Sequence, residues 1–264
     1  MELNLKKYLK KILNVIIRNN EIEAAKKINS FGSEYGNWKF IHTDDLHNSI
    51  ILSAGVGEDI SFDVEFINFY NSTVIFVDPT PRALEYLETV KENFGLPKSQ
   101  DYQKGGFQYP SSYNLTKIKD NNFVIYKKAL WSESDKELNF YFPENERNVS
   151  NTLINSYFEK KRKYIKVETI SLEQILKENQ INKLELIKVD IEGAEIEVIA
   201  SMLNKKIFPN QLLLEIDYLR RNTICSIFKS IIFVKKILNS GYKIIKINNY
   251  ENYLFVRNEL LQND

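Results

Sequence analysis

Four apolar runs of strand length each end in a glycine turn or an acid. Residues 49–53, Ser-Ile-Ile-Leu-Ser, run into Ala54-Gly55-Val56-Gly57. Thr73-Val74-Ile75-Phe76-Val77 stops at Asp78, residues 184–189 stop at Asp190, and residues 211–216 carry Glu215 near their end. Between these runs, residues 59–70, 81–94 and 194–203 place apolar side chains at helical spacing. Short, nearly uninterrupted apolar runs mark strands buried on both faces, and their alternation with helices predicts an α/β fold with a mostly parallel sheet and helices on both sides. In such sheets, ligands bind beyond the carboxyl ends of the strands, where the strand order changes direction. Gly55, Gly57, Asp78, Asp190 and Glu215 are therefore expected to converge on one cleft.

The rest of the chain predicts an N-terminal helical extension over residues 1–40 and one body over residues 41–264. Leu5, Tyr8, Leu9, Ile12, Leu13, Ile16 and Ile17 form one helical stripe with lysines opposite it. Such a stripe ordinarily packs on the protein body, although a membrane surface or a partner could also receive it. Gly32 and Gly36 mark a loop. Residues 96–120 read as a long loop, 123–130 as a strand with 137–142 as its hairpin partner, and 145–155 as a polar surface loop. Residues 165–170 read as a strand leading to a helix at 172–179, opened by Ser171 with Gln174 as its capping-box partner. Residues 219–239 read as one long helix. Residues 242–247 and 253–257 form a closing strand pair around Asn248-Asn249, which implies one antiparallel edge strand.

Composition narrows the function. The 264 residues carry 36 Lys+Arg against 35 Asp+Glu, a net charge of +1 that makes no case for nucleic-acid binding. The single cysteine excludes an internal disulfide and a multi-cysteine metal cluster. It is expected in the core, on an apolar helix with Ile224, Ile227, Phe228 and Ile231. No apolar run approaches the roughly 20 residues of a membrane span, and no signal-peptide cleavage site follows the basic N-terminus, so the cytoplasm is the expected location. His42 and His47 read as ordinary surface histidines. Tyr157 and the basic run at 160–163 read as a solvated face that could also grip an anionic substrate.

The glycine turn admits a ligand close to the backbone. An acid at the end of the next strand, as Asp78 is, can accept hydrogen bonds from both ribose hydroxyls. A dinucleotide would want a third glycine where Ile60 stands, and a phosphate would be repelled by Glu58 and Asp59. A ribose cofactor without phosphate, such as S-adenosylmethionine, fits better than NAD. Three carboxylates, Asp190, Glu192 and Glu195, lie within six positions and suit a cationic or hydroxyl-bearing ligand. Each feature also has a plainer reading: a tight turn at Gly55 and Gly57, a helix cap at Asp78, first-turn acids at Glu192 and Glu195. A magnesium site of oxygen ligands from Asp190, Glu192, Glu215 and Asp217 is a minor alternative, and no metal is expected.

The run Ile187-Lys188-Val189-Asp190-Ile191-Glu192-Gly193-Ala194-Glu195 resembles the signature of FkbM-type S-adenosylmethionine-dependent methyltransferases. Leu52-Ser53-Ala54-Gly55-Val56-Gly57-Glu58-Asp59-Ile60-Ser61-Phe62-Asp63 and Val77-Asp78-Pro79-Thr80-Pro81 extend the resemblance, which runs from about Ser49 to Arg257. It implies a Rossmann-like class I methyltransferase fold, with a seven-stranded sheet whose last strand is antiparallel. It also implies O-methylation of a hydroxyl, as in the sugars of bacterial surface polysaccharides.

Carried over by position, Gly55 and Gly57 line the cofactor's amino-acid end, Asp78 the ribose with Pro79 beside it as a further cofactor-binding candidate, and Ala129-Leu130-Trp131 the adenine. Asp190 faces the methyl group and is the first candidate base, followed by Glu192 and Glu215. Ser53 stands where many methyltransferases carry an acid, and Asp59 where many carry a third glycine. Glu58, Asp59 and Ser61 are therefore candidates for the amino-acid end, and Ser53 and Phe62 are further candidate cofactor-binding residues. The implied partner is a small-molecule or saccharide acceptor, shaped by loops 96–120 and 143–160. Neither nucleic acid nor stable membrane insertion is expected, and an oligomer is compatible with the sequence. The rivals are an NAD-dependent oxidoreductase and a non-catalytic binding protein that keeps the fold.

Overall fold

The computed structural model describes residues 2–23, 27–143, 150–154, 163–220, 223–246 and 252–262. The chain opens with helix α1 (Glu2–Asn20), strand β1 (Glu21–Ile22) and the hairpin of β2 (Ile28–Phe31) and β3 (Trp38–Ile41). There follow β4 (Ile50–Ala54), α2 (Ser61–Tyr70), β5 (Thr73–Val77) and α3 (Pro81–Glu92). Asn71 closes α2 in the left-handed conformation, and Pro81 opens α3 at its first turn, where a missing N–H costs nothing. The chain continues with β6 (Phe123–Tyr126), β7 (Ala129–Trp131), β8 (Glu137–Tyr141), β9 (Tyr164–Ser171) and α4 (Leu172–Glu178). It ends with β10 (Leu186–Val189), α5 (Glu195–Asn204), β11 (Gln211–Glu215), α6 (Asp217–Arg220), α7 (Ile224–Asn239), β12 (Tyr242–Ile245), β13 (Asn252–Arg257) and α8 (Asn258–Gln262).

One sheet of eight strands runs in the order β1-β12-β13-β11-β10-β4-β5-β6. Every pairing in it is parallel except those of β13, which is antiparallel to both β11 and β12. The last strand is thus antiparallel as expected, but it is interior rather than at an edge. It slots between β11 and β12, so its ladder groups are paired on both sides.

The apolar runs work as buried strands do. In β4 and β5, Ile51, Val74 and Phe76 join one core cluster with Phe40, Phe62, Phe66 and Leu87. Their neighbours Leu52, Ala54, Ile75 and Val77 join a second cluster with Val198, Ile199, Ile231 and Val234. Successive residues face opposite sides, so α2 and α3 cover one face and α4, α5 and α7 the other. Helix α1 packs on α7, with Leu13 buried and Leu9, Ile12, Ile16 and Ile17 against the second cluster.

Several expectations need correction. Residues 123–130 are not one strand with 137–142 as its hairpin partner. Their β6 part adds to the main sheet beside β5, while β7 pairs in parallel with β9 in a separate small sheet that β8 completes. Residues 28–41 form a hairpin instead of irregular chain, and β1 adds to the main sheet. Residues 219–239 hold two helices; the hydroxyl of Thr223 caps the second by accepting from the Ser226 N–H. Cys225 is exposed, because α7 buries Ile227, Ser230, Ile231 and Val234 and turns Phe228 outward. Ser171 accepts from the Gln174 N–H, but the Gln174 side chain bonds Glu178 instead of returning to close a capping box. The loop at 96–120 is part of the core through Tyr113, Leu115 and Ile118. Asn248-Asn249, Tyr157 and residues 160–162 lie outside the described residues.

Candidate active site

The strand order changes direction at β4, which has β5 on one side and β10 on the other. Gly55 follows β4 with φ +80°, in the left-handed region that favours glycine, and Gly57 has φ +58°. The Asp190 N–H donates to the Ala54 carbonyl at 3.0 Å, and the Gly55 N–H donates to the Val77 carbonyl at 3.2 Å. The ends of β10, β4 and β5 are thereby stitched together. A Cβ at Gly55 would stand 1.6 Å from the Asp190 carbonyl oxygen, so any larger residue is sterically excluded. The glycine turn and the acid, 135 positions apart in sequence, share one spot at the switch in strand order.

A cavity of about 320 Å³ opens there, within the roughly 300–1,000 Å³ of small-molecule pockets. Gly55, Gly57, Glu58, Asp59, Asp78 and Pro79 line it, together with Ala129, Leu130, Asp190, Glu192 and Glu215. Four expected residues do not. Ser53 is buried inside β4, where its hydroxyl accepts from the Lys188 ammonium at 2.9 Å. The Ser61 hydroxyl accepts from the Ser33 N–H at 2.7 Å. Phe62 is buried edge-on to Phe40 in the core. Trp131, the last residue of β7, is half-buried outside the lining. His42 is also elsewhere; its Nδ1 lies 2.7 Å from the Tyr70 hydroxyl.

The cavity's acids are held in distinct ways. Asp78 is buried, with Oδ2 accepting from the Val56 N–H and Oδ1 from the Thr80 N–H, both at 2.8 Å. Burial pushes its carboxyl above the ordinary value, and hydrogen bonds from the Thr80 hydroxyl and from the backbone of Thr80, Val56 and Gly57 pull it back. Glu58 pairs with the Arg82 guanidinium at 2.6 Å. Asp59 accepts from the Ser33 hydroxyl at 2.5 Å and from the Ser61 N–H at 2.9 Å. These partners occupy both acids with local structure.

Just behind the cavity, Glu195 is fully buried. Its Oε1 accepts from the Ile191 and Gly193 N–H groups at 3.1 and 3.0 Å, which fixes the turn that carries Asp190 and Glu192. Burial, opposed by these bonds and reinforced by Asp190, pushes its carboxyl up to about 8. Glu192 itself takes a left-handed φ of +55°, and its carbonyl accepts from the Thr152 hydroxyl at 2.7 Å. Among the described residues, no group of three or more His, Cys, Asp or Glu side chains is placed to hold a metal ion.

Sequence reasoning did not single out six lining residues. Tyr35, Asn37 and Trp38, from the turn of the β2–β3 hairpin, wall the cavity. Their only signal was the alternation of Trp38-Lys39-Phe40-Ile41 after a glycine-marked turn. Asn151 and Leu153 lie within loop 143–160, which is expected to shape the acceptor pocket, but no periodicity in that polar stretch marks them individually. Lys188 did carry a signal, as a lysine inside the otherwise apolar Leu186-Ile187-Lys188-Val189, and it too lines the cavity.

Among known protein families, the methyltransferase FkbM domain matches residues 45–244. No curated protein matches the chain at a significant level. Among the described residues, no helix is long and apolar enough to cross a membrane.

Proposed function

The chain belongs to the FkbM methyltransferase family, and from that premise we propose that it is an S-adenosylmethionine-dependent O-methyltransferase of class I fold, acting in the cytoplasm on a saccharide hydroxyl. The observation that carries this reading is the contact of Gly55 with Asp190. It leaves bare backbone at the end of β4 and sets a carboxylate beside it. The residues present suit this cofactor. A side chain is excluded at Gly55, and Asp78, Asp190 and Glu215 offer carboxylates to a ligand that is cationic at its sulfonium and ammonium and has no phosphate. The saccharide acceptor and its place in surface-polysaccharide synthesis rest on the family resemblance.

Asp78 would hold the ribose hydroxyls, the backbone of Gly55 and Gly57 the amino-acid end, and Ala129 and Leu130 the base. Bound there, S-adenosylmethionine supplies a methyl group activated by its sulfonium. The chain's own residues then have two tasks. The cavity walls orient the acceptor oxygen for in-line displacement, an effect that contributes roughly 7–11 kcal/mol in well-ordered sites. Asp190 accepts the acceptor's hydroxyl proton, with Glu192 and Glu215 next in order; a positioned base adds roughly 10²–10⁴-fold. Positioning therefore outweighs the base.

Calorimetric titration with S-adenosylmethionine, with NAD as the control ligand, tests the cofactor. Micromolar binding of S-adenosylmethionine alone supports the reading, and binding of NAD alone overturns it. Transfer of labelled methyl to a panel of saccharides then separates an enzyme from a binding protein that keeps the fold.

A further inference from the structure

Asn151 lines the cavity with only 7% of its surface exposed, and its Oδ1 is buried with no hydrogen-bond partner among the described residues. An unmet buried acceptor is costly to keep, so its retention calls for a ligand. The amide turns its nitrogen toward Thr80 and its oxygen away. The Thr80 N–H donates to the Asp78 carboxylate at 2.8 Å. The Asn151 Nδ2 donates to the Thr80 Oγ1 at 3.4 Å. The amide oxygen is thereby left as the unsatisfied atom, with one Nδ2 hydrogen still to spare. Ala129, Phe140 and Leu153, which pack in one apolar cluster, line the same cavity.

We infer that Asn151 reads the base of the bound cofactor, its fixed Oδ1 accepting from the exocyclic amine of adenine and its free Nδ2 hydrogen facing a ring nitrogen. The assignment rests on the proposed use of S-adenosylmethionine. Asparagine and adenine match as acceptor–donor to donor–acceptor, whereas a base with a carbonyl in place of the amine would set oxygen against oxygen. The hydrogen-bonded series Asn151, Thr80, Asp78 ties the reading of the base to the residue that holds the ribose.

The test is calorimetric binding of S-adenosylhomocysteine and of S-inosylhomocysteine, in which a carbonyl replaces the amine. A matched amide–adenine pair is worth roughly 1–3 kcal/mol of discrimination. The wild-type protein should therefore prefer the adenine ligand by roughly 5- to 150-fold, and Asn151→Ala should bring the two ligands to near parity. Thr80→Val removes the acceptor that pins the amide, so the amide can turn and the preference should shrink there too. The ratio is the readout, because damage to the fold or to the geometry of Asp78 weakens both ligands together. An adenine preference unchanged in both variants overturns the assignment to Asn151 and leaves the cofactor reading standing. Failure of the wild-type protein to bind either ligand overturns both.

Discussion

The Lys188 ammonium sits 3.2 Å from the Asp63 carboxylate with both side chains almost wholly out of water. The ammonium also donates to the Ser53 hydroxyl and lies 5.7 Å from the centre of the Phe62 ring and 6.0 Å from that of Trp38. Burial pushes the Asp63 carboxyl up, and Lys188 pulls it back down. The pair ties β10, which delivers Asp190, to β4, which delivers Gly55, and to α2 behind them. A buried charge with a partner is tolerable; one without is not.

Removing one partner should therefore cost more than removing both. Lys188→Met or Asp63→Leu alone should each lower unfolding stability by roughly 3–5 kcal/mol, and the double variant by clearly less than their sum. Urea unfolding of the three variants measures this. Additive losses would mean that the ion pair is not the coupling between these elements.

Gly55→Ala and Gly95→Ala separate strain from collision. Both glycines have left-handed φ, +80° and +86°, but a Cβ at Gly95 meets nothing within 4 Å while one at Gly55 meets the Asp190 carbonyl. Gly95→Ala should cost roughly 1–2 kcal/mol, the ordinary penalty of that conformation. Gly55→Ala should cost well above that and abolish S-adenosylmethionine binding, because the turn or the end of β10 must move. Thermal melts and calorimetry of the two variants check this, and equal losses would refute the collision.

The sequence disclosed the residues whose chemistry and neighbours agree. An apolar strand that ends in a glycine or an acid is legible because burial on both faces permits little else. Hence Gly55, Asp78, Asp190 and Glu215 reach one cavity as expected. What stayed hidden depends on contacts distant in sequence. Phe123–Tyr126 and Ala129–Trp131 look continuous, and only the choice of partner strand divides them between two sheets. Trp38 and Asn151 sit in stretches too short or too polar to show periodicity, and the fold alone brings them to the cavity. Cys225 misled because α7 buries two serines, Ser226 and Ser230, and leaves Phe228 and Ile232 in water, the reverse of the simple pattern.

Glu195 predicts a pH dependence of stability. Its carboxyl rises from an ordinary 4.5 to about 8 in the folded protein. Between these values the folded state keeps a proton that the unfolded state has released, so stability should fall as pH rises from about 4.5 to about 8. Glu195→Gln keeps an oxygen for the Ile191 and Gly193 N–H groups and has no proton to lose. The variant should match the wild type near pH 5 and be more stable near pH 8, by an amount on the order of a few kcal/mol. Asp63 and Asp78 are shifted in the same direction, so the slope should diminish in the variant without vanishing. Urea unfolding at a series of pH values measures it, and an unchanged slope would rule Glu195 out as its source.

Asp190→Asn separates chemistry from architecture. The backbone of Asp190 stitches β10 to β4 through the Ala54 carbonyl, and the substitution leaves that bond intact. Asp190 lines the cavity, and asparagine keeps its size and loses its basicity. If Asp190 takes the acceptor's proton, turnover should fall by roughly 10²–10⁴-fold, while the melting temperature stays close to that of the wild type. Affinity for S-adenosylmethionine should change far less than turnover, because the proposed function assigns ribose and base to other residues. Glu192→Gln and Glu215→Gln, assayed alongside, rank the remaining acids. A turnover that survives in Asp190→Asn but collapses in one of these two would move the base to that residue and leave Asp190 as a backbone support for Gly55.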